Sequence, residues 1–234
     1  MEKQTLLYEG KAKRVYTTED EKYYIVSYKD DATAFNGEKR GTILGKGVVN
    51  NRMSNIMCRM LQEHGIETHL VEELNERETL VKAVEIVPLE VIVRNVAAGS
   101  FSKRFGVEEG RIFNNPTIEF CLKDDALDDP MINEYHILAL GLATWEEIKV
   151  MTEMTFKINE LLKVYFDQIG VKLIDFKIEL GRVDGKIILV DEISPDTCRF
   201  WDKETNKKLD KDRFRRDLGG VEEVYEEMLR RVTK

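Results

Sequence analysis

Asp175, Lys177 and Glu179 stand two residues apart in "LIDFKIELG" (173–181), so on a β-strand they share one face, while Ile174, Phe176, Ile178 and Leu180 share the other. Two carboxylates around an ammonium can hold a divalent cation through hard oxygens, or can lie in water as an ion-paired strand face. The next segment, "RVDGKIILVDEIS", offers a partner strand, with Asp184 and Gly185 as turn residues. A three-residue loop, Val183 to Gly185, sets Lys177 opposite Asp191, Glu179 opposite Leu189, Ile178 opposite Val190 and Leu180 opposite Ile188. This register keeps one face apolar and gathers Asp175, Lys177, Glu179 and Asp191 on the other. A slip of one residue moves Asp191 into the apolar set. Carboxylates so close repel unless cations offset them. Lys177 offsets one charge, and an oxygen set without Cys or His suits Mg²⁺, which is held by one or two carboxylates together with nucleotide phosphates.

Three further clusters carry chemistry. "YEGKAKRVY" places Gly10 at a turn with Lys11, Lys13 and Arg14 nearby, and the small Gly10 and Ala12 let N–H groups and lysines approach phosphate oxygens. It is neither a Walker A nor a GxGxxG sequence, and a basic surface turn is the competing reading. In "VPLEVIVRNVAAGS", Glu90 and Arg94 share a strand face ahead of a small-residue turn ending in Ser100. Arg94 there can grip a phosphate or carboxylate as a fork, or form an ordinary ion pair beside an N-cap. In "DEISPDTCRFWDKET", Asp196 and Arg199 flank a turn that overhangs the charged face.

The elements that must position these groups follow from hydrophobic period. "TLLYEG", "AKRVYTTE" and "YYIVSYK" predict a β-meander. Val49, Met53, Ile56, Met57, Met60 and Leu61 recur at helical spacing from Gly47 to His64, with Gly65 as a stop; the Met-rich stripe reads as core. "THLVEEL", "ETLVKAVEIV" and "LEVIVRNVAAGS" return to strands, with Pro88 as the junction between lobes. Thr144 and Glu147 form a capping box for a helix whose apolar face is Ile148, Met151, Ile158, Leu161, Leu162, Tyr165 and Ile169, ended by Gly170. A last amphipathic helix runs around Val221, Val224, Tyr225, Met228, Leu229 and Val232. Hairpins rather than regular βαβ units predict an α+β fold on antiparallel sheets, with lobes of 1–87 and 88–234.

Composition narrows the partners. The 234 residues carry 36 Lys and Arg against 44 Asp and Glu, a net charge of −8, which argues against nucleic acid or an anionic membrane surface. With 42% hydrophobic and 34% charged residues the chain reads as a compact globule. Cys58, Cys121 and Cys198 have no disulfide or zinc spacing, and "MEKQTLLYEGKAK" has no apolar signal region, so a cytoplasmic, untargeted protein is expected. His64, His69 and His136 lack metal-ligand spacing and read as surface or helix-end residues.

"VPLEVIVRNVAAGS" and "LIDFKIELG" resemble the two signature segments of the phosphoribosylaminoimidazole-succinocarboxamide synthase (SAICAR synthetase) family in its compact bacterial form. The likeness continues through "YEGKAKRVY", "GVVNNRM", "DPMINE", "DEISPDTCRFWDKET" and "DKDRFRRDLGG". The resemblance implies a two-lobed α+β fold distantly similar to protein kinases, with ATP bound between the lobes. It implies ATP- and Mg²⁺-dependent joining of L-aspartate to a phosphoribosyl aminoimidazole carboxylate in purine biosynthesis, through carboxylate activation as an acyl phosphate, by a homodimer. Carried over residue by residue, Gly10, Lys11, Ala12, Lys13 and Val15 resemble the segment covering ATP, with Lys82 on the same side, and Glu179 and Asp191 resemble the metal-nucleotide carboxylates. Arg94, Ser100, Arg199 and Arg215 resemble the anchors of the substrate phosphate. Asp175, Lys177, Lys123 and Asp129 resemble residues near the reacting carboxylate, and Asp196 resembles a substrate contact. Residues 31–37, "DATAFNG", resemble a substrate loop. The alternative class is a kinase-like phosphotransferase or nucleotide-binding regulator, although the HRD and DFG strings of protein kinases are absent.

Overall fold

The computed structural model describes residues 1–34 and 37–234. The meander forms as the Tyr- and Val-rich pattern predicts: β1 (Leu6–Glu9), β2 (Lys13–Thr17) and β3 (Tyr23–Tyr28). A separate hairpin, β4 (Asp31–Ala34) and β5 (Lys39–Thr42), leads into helix α1 (Lys46–Glu63), so part of the expected substrate loop is strand, and Phe35 and Asn36 lie outside the described residues. β6 (Leu70–Asn75) and β7 (Glu78–Lys82) complete a five-stranded sheet of order β1-β2-β3-β7-β6.

β8 (Glu85–Val96) begins a second sheet, followed by the short helix α2 (Gly99–Phe105), β9 (Ile112–Leu122), β10 (Met131–Ile132), helix α3 (Glu134–Ala139) and helix α4 (Trp145–Gln168). Then come β11 (Val171–Val183), β12 (Lys186–Leu189), β13 (Cys198–Asp202), helix α5 (Asp212–Arg215) and helix α6 (Val221–Val232). The order is β10-β9-β8-β11-β12, with β13 also on β11, and all these ladders are antiparallel. Pro88 sits near the start of β8, the first strand of the second sheet, where the pairing with β11 is irregular between Ile86 and Glu90, so its missing N–H interrupts no regular ladder.

One apolar cluster joins α1, α4 and α6 to the second sheet through Met53, Met57, Leu61, Phe166, Phe176, Ile178 and Met228, so the Met-rich stripe is core. The Thr144–Glu147 capping box forms at the start of α4, with the Glu147 N–H donating to Thr144 Oγ1 at 3.2 Å and the Thr144 N–H to Glu147 Oε2 at 2.9 Å.

Two expectations for β11 are corrected. The hairpin turn has two residues, not three: Asp184 and Gly185 have φ of 48° and 74°, and Val183 pairs with Lys186, so Leu180 faces Leu189 and Gly181 faces Ile188. An Asp-Gly pair adopts positive φ readily, and the tight turn matches strand twist without a third residue. Ile174 also leaves the expected apolar row. It is the extra residue of a bulge between Leu173, facing Phe200, and Asp175, facing Arg199, and it packs with Ala98 and Trp201, while Leu173 joins the main core.

Asp191 nevertheless reaches the charged face, because β12 stops at Leu189 and the chain leaves the ladder. Val190 N–H still donates to Glu179 O at 3.1 Å, and Lys177 N–H donates to Thr197 O at 2.8 Å. β12 and β13 thus lie end to end along the β11 edge opposite β8, with residues 190–197 as an excursion between them.

Candidate active site

Lys177 joins three acids where the excursion crosses β11. Its Nζ is 2.9 Å from Glu179, 3.0 Å from Asp191 and 3.2 Å from Glu90. The other Asp191 oxygen accepts from Lys13 at 2.6 Å, and the other Glu179 oxygen accepts from Lys123 at 2.8 Å. Burial alone raises a carboxyl, but Lys13 and Lys177 hold Asp191 far below the usual range. Burial likewise opposes the charge on Lys13 and Lys177, yet Asp191 and its acidic neighbours lift both amines well above the ordinary lysine value.

Glu179 and Asp191 therefore converge on one ammonium as a pair of hard-oxygen donors. Among the described residues no group of three or more His, Cys, Asp or Glu is set to hold a metal by itself. A pair of carboxylates suits a cation that brings further oxygen ligands with it, rather than one caged by protein alone.

The β1–β2 turn approaches from the other sheet. Gly10 N–H donates to Lys13 O at 2.9 Å, Ala12 O accepts from Lys29 N–H at 2.8 Å, and Lys11 Nζ is 2.7 Å from Asp125. Val15 packs beside Val26, Tyr28 and Val81, which leaves Lys13, two residues earlier, to cross to Asp191. Lys82, at the end of β7, donates its N–H to His69 O at 2.8 Å.

His69 corrects the expectation for histidines: it is partly buried and not at a helix end. Burial first, then the charges of Lys13 and Lys82, outweigh Asp191 and lower it from 6.5 to about 3. The unfolded chain thus binds a proton between these values that the folded chain does not. This contribution to stability is full above pH 6.5 and declines as pH falls toward 3. Wild-type stability relative to His69→Gln should therefore drop between pH 7.5 and pH 5 in urea unfolding; a difference equal at both pH values would contradict this.

Arginines line the adjoining cleft of about 340 Å³, whose walls include Lys11, Ser100, Asp175, Lys177, Arg199 and Arg215. Arg94 borders it but is only 3% exposed. Its Nε and Nη2 bond Glu119 at 2.7 and 3.1 Å, Nη1 bonds Asp175 at 2.8 Å, and Nη2 also reaches Ser100 Oγ at 3.1 Å. Arg199 Nη1 bonds the same Asp175 at 2.9 Å, while its Nε bonds Asp212 at 2.9 Å. Arg215 holds the other Asp212 oxygen at 2.6 Å. Burial opposes ionisation of Asp212, but Arg199 and Arg215 bring it down to about 2.

Asp196 is nearly sealed. Lys46, itself 0% exposed, bonds one oxygen at 2.8 Å, Tyr225 OH bonds the other at 2.5 Å, and Lys211 lies 3.6 Å away at the cleft wall. Asp129 is turned into its own loop, where its Oδ1 accepts the Asp124 N–H at 2.9 Å.

The structure so gathers Lys13, Lys123, Lys177, Glu179 and Asp191 in one cluster and Asp175, Arg94, Ser100, Arg199 and Arg215 in the next. Sequence reasoning left Glu119, Lys46, Lys211 and Asp212 without roles and read Tyr225 only as part of the apolar face of the last helix. Lys211 and Asp212 lie in the noted segment "DKDRFRRDLGG", which is the one signal that pointed toward them.

A sequence profile of the SAICAR synthetase family matches residues 6–232. Phosphoribosylaminoimidazole-succinocarboxamide synthase of Lachnoclostridium phytofermentans is 62% identical over 232 residues, 99% of each chain. That of Clostridium botulinum is 57% identical over 234 residues, the full length of both. Among solved structures, the synthase of Ehrlichia chaffeensis superposes with a TM-score of 0.96 at 45% identity, covering 98% of each chain. A SAICAR synthetase in complex with ADP gives 0.94 at 47% identity, covering 97% of each chain. Agreement of sequence over the full length with the same antiparallel α+β architecture leaves one assignment: this chain belongs to the SAICAR synthetase family.

Proposed function

We propose that this chain is an ATP-dependent ligase that joins L-aspartate to the carboxylate of 5-amino-1-(5-phospho-D-ribosyl)imidazole-4-carboxylate, giving SAICAR, ADP and phosphate in purine biosynthesis. The observation that carries this reading is the full-length family match, set on a cleft where a lysine-bound carboxylate pair adjoins an arginine cluster. ATP lies against residues 1–87, with Gly10 to Lys13 over its phosphates and Val15 and Lys82 on the nucleotide side; residues 88–234 supply the substrate and cation groups. Glu179 and Asp191 would hold Mg²⁺, which would supply positive charge against the nucleotide phosphates.

Lys13 and Lys177 offset charge on the transferring phosphoryl group, for which positioning and electrostatics supply most of the catalysis. Lys123 keeps Glu179 oriented, and Asp175 is fixed between Arg94 and Arg199 at the floor of the substrate cleft. Arg199, Arg215 and Ser100 take the 5′-phosphate, with Arg94 locking Ser100 and Asp175 in place. Asp196 holds Lys211 toward the cleft, and Asp129 orders the loop carrying Lys123. Among the described residues no helix is long and apolar enough to cross a membrane, and a cytoplasmic homodimer fits the family.

The decisive assay supplies ATP, Mg²⁺, aspartate and the imidazole carboxylate and follows succinocarboxamide and ADP together. Stoichiometric appearance of both is expected; ADP without amide, or turnover independent of aspartate, would sink the ligase reading. A sharper test uses Gly99, where φ is +55° and an added Cβ would lie 2.2 Å from Arg199 Nη2. Gly99→Ala should displace Arg199 and raise KM for the phosphorylated imidazole about tenfold, with KM for ATP within about twofold. Equal changes in both constants would contradict the phosphate role of Arg199.

A further inference from the structure

Glu192 follows Asp191 directly and is 3% exposed. Its Oε2 is sealed from solvent and has no hydrogen-bond partner among the described residues. Leaving such an atom unpaired is costly, so its presence at a charged site calls for a cause. The nearest cation is Lys13, whose Nζ lies 3.8 Å from that oxygen while bonding Asp191 at 2.6 Å. Asp191 is fully engaged, one oxygen on Lys13 and the other on Lys177 at 3.0 Å.

A divalent cation on Asp191 competes with the two ammonium groups for the same pair of oxygens and repels the nearer one, Lys13. The Lys13 side chain is only 24% exposed, so a released ammonium needs another acceptor close by. Glu192 Oε2 is that acceptor, and a shift of about 1 Å brings the pair to charged hydrogen-bond length.

The loop backbone keeps Glu192 in place for this exchange. Its carbonyl accepts from Thr197 Oγ1 at 3.0 Å, and the next N–H, of Ile193, donates to Ser54 of α1 at 3.3 Å. Lys46, Asn50 and Ser54 share one face of α1 at four-residue spacing. Lys46 and Ser54 both bond the excursion, and the buried amide of Asn50 between them has no hydrogen-bond partner among the described residues.

We propose that Glu192 is a positioning residue for Lys13: when Asp191 takes the cation that accompanies the nucleotide, the Lys13 ammonium passes from Asp191 to Glu192 and is held there facing the phosphates. The proposal rests on the cation role of Asp191 given above, and it adds a residue with no assigned part in the reaction.

The test measures ADP affinity by calorimetry in EDTA and in Mg²⁺, for wild type and Glu192→Gln. Wild type should bind more tightly with Mg²⁺. The variant should match wild type in EDTA within about twofold and lose about tenfold of the gain from Mg²⁺. An equal loss in both conditions, as a purely structural residue gives, or no loss in Mg²⁺, overturns the proposal while leaving the role of Asp191 intact. Absence of any Mg²⁺ gain in wild type removes that role and the proposal together. Should the variant not fold, a crystal structure of wild type with Mg²⁺ and ADP decides. Lys13 bonded to Glu192 is the expected result, and Lys13 still on Asp191 overturns it.

Discussion

Exchanging Asp191 for asparagine is expected to lower kcat/KM for ATP on the order of a hundredfold, the loss that the proposed cation role predicts when a charged carboxylate with both oxygens engaged becomes neutral. Asparagine keeps the shape but carries an NH₂ in place of one oxygen, so one of the two lysines, which Asp191 receives on separate oxygens at 2.6 and 3.0 Å, meets a donor instead of an acceptor. Two amines then face each other with reduced compensation. Breaking a buried pair in this way costs about 3–5 kcal/mol, but both lysine side chains are 24–25% exposed and Lys177 keeps Glu179 and Glu90. A loss nearer about 2 kcal/mol is expected in chemical denaturation. Steady-state kinetics with ATP varied checks the first part, and unchanged ATP constants would remove Asp191 from the site.

Arg94→Lys should act through the fold as much as through the substrate. The guanidinium bonds Glu119 twice, Asp175 once and Ser100 once, at 3% exposure. A lysine has one ammonium and cannot bridge acceptors set on both neighbouring strands. Either Glu119 or Asp175 is left under-compensated inside the protein, for a loss of about 3 kcal/mol in stability. Arg104 still reaches Glu119, and Arg199 still reaches Asp175, which keeps the chain folded. With Asp175 and Ser100 released, KM for the imidazole substrate should rise about tenfold or more and KM for ATP should hold. A fully stable variant with an ATP defect alone would contradict both halves of this expectation.

These two residues show what a sequence can and cannot reveal. The charged row of β11 was legible because strand period is local: Asp175, Lys177 and Glu179 need only their own spacing to share a face. The capping box of α4 and the Met-rich stripe of α1 were legible for the same reason. The hairpin register was not, since it turned on whether Asp184 adopts positive φ, a choice between two turn geometries that one Asp-Gly pair permits. Glu119 and Lys46 were out of reach in a different way. Their partners lie 25 and 150 residues distant, and nothing in "TIEFCL" or at the start of α1 distinguishes them from a surface acid and a solvated lysine.

The break along the edge of β11 has a wider consequence. β12 is registered by its own turn and β13 by its pairing across the Ile174 bulge of β11, so neither ladder depends on the length of chain between them. Residues 190–197 are therefore a cassette bolted at both ends to a fixed frame. A residue gained or lost there would move Asp191, Glu192 and Asp196 relative to Lys177 without sliding either strand. A change within these eight positions would therefore act on the candidate site, and on the Lys46, Ser54 and Tyr225 contacts that brace it, before it acts on the strands on either side.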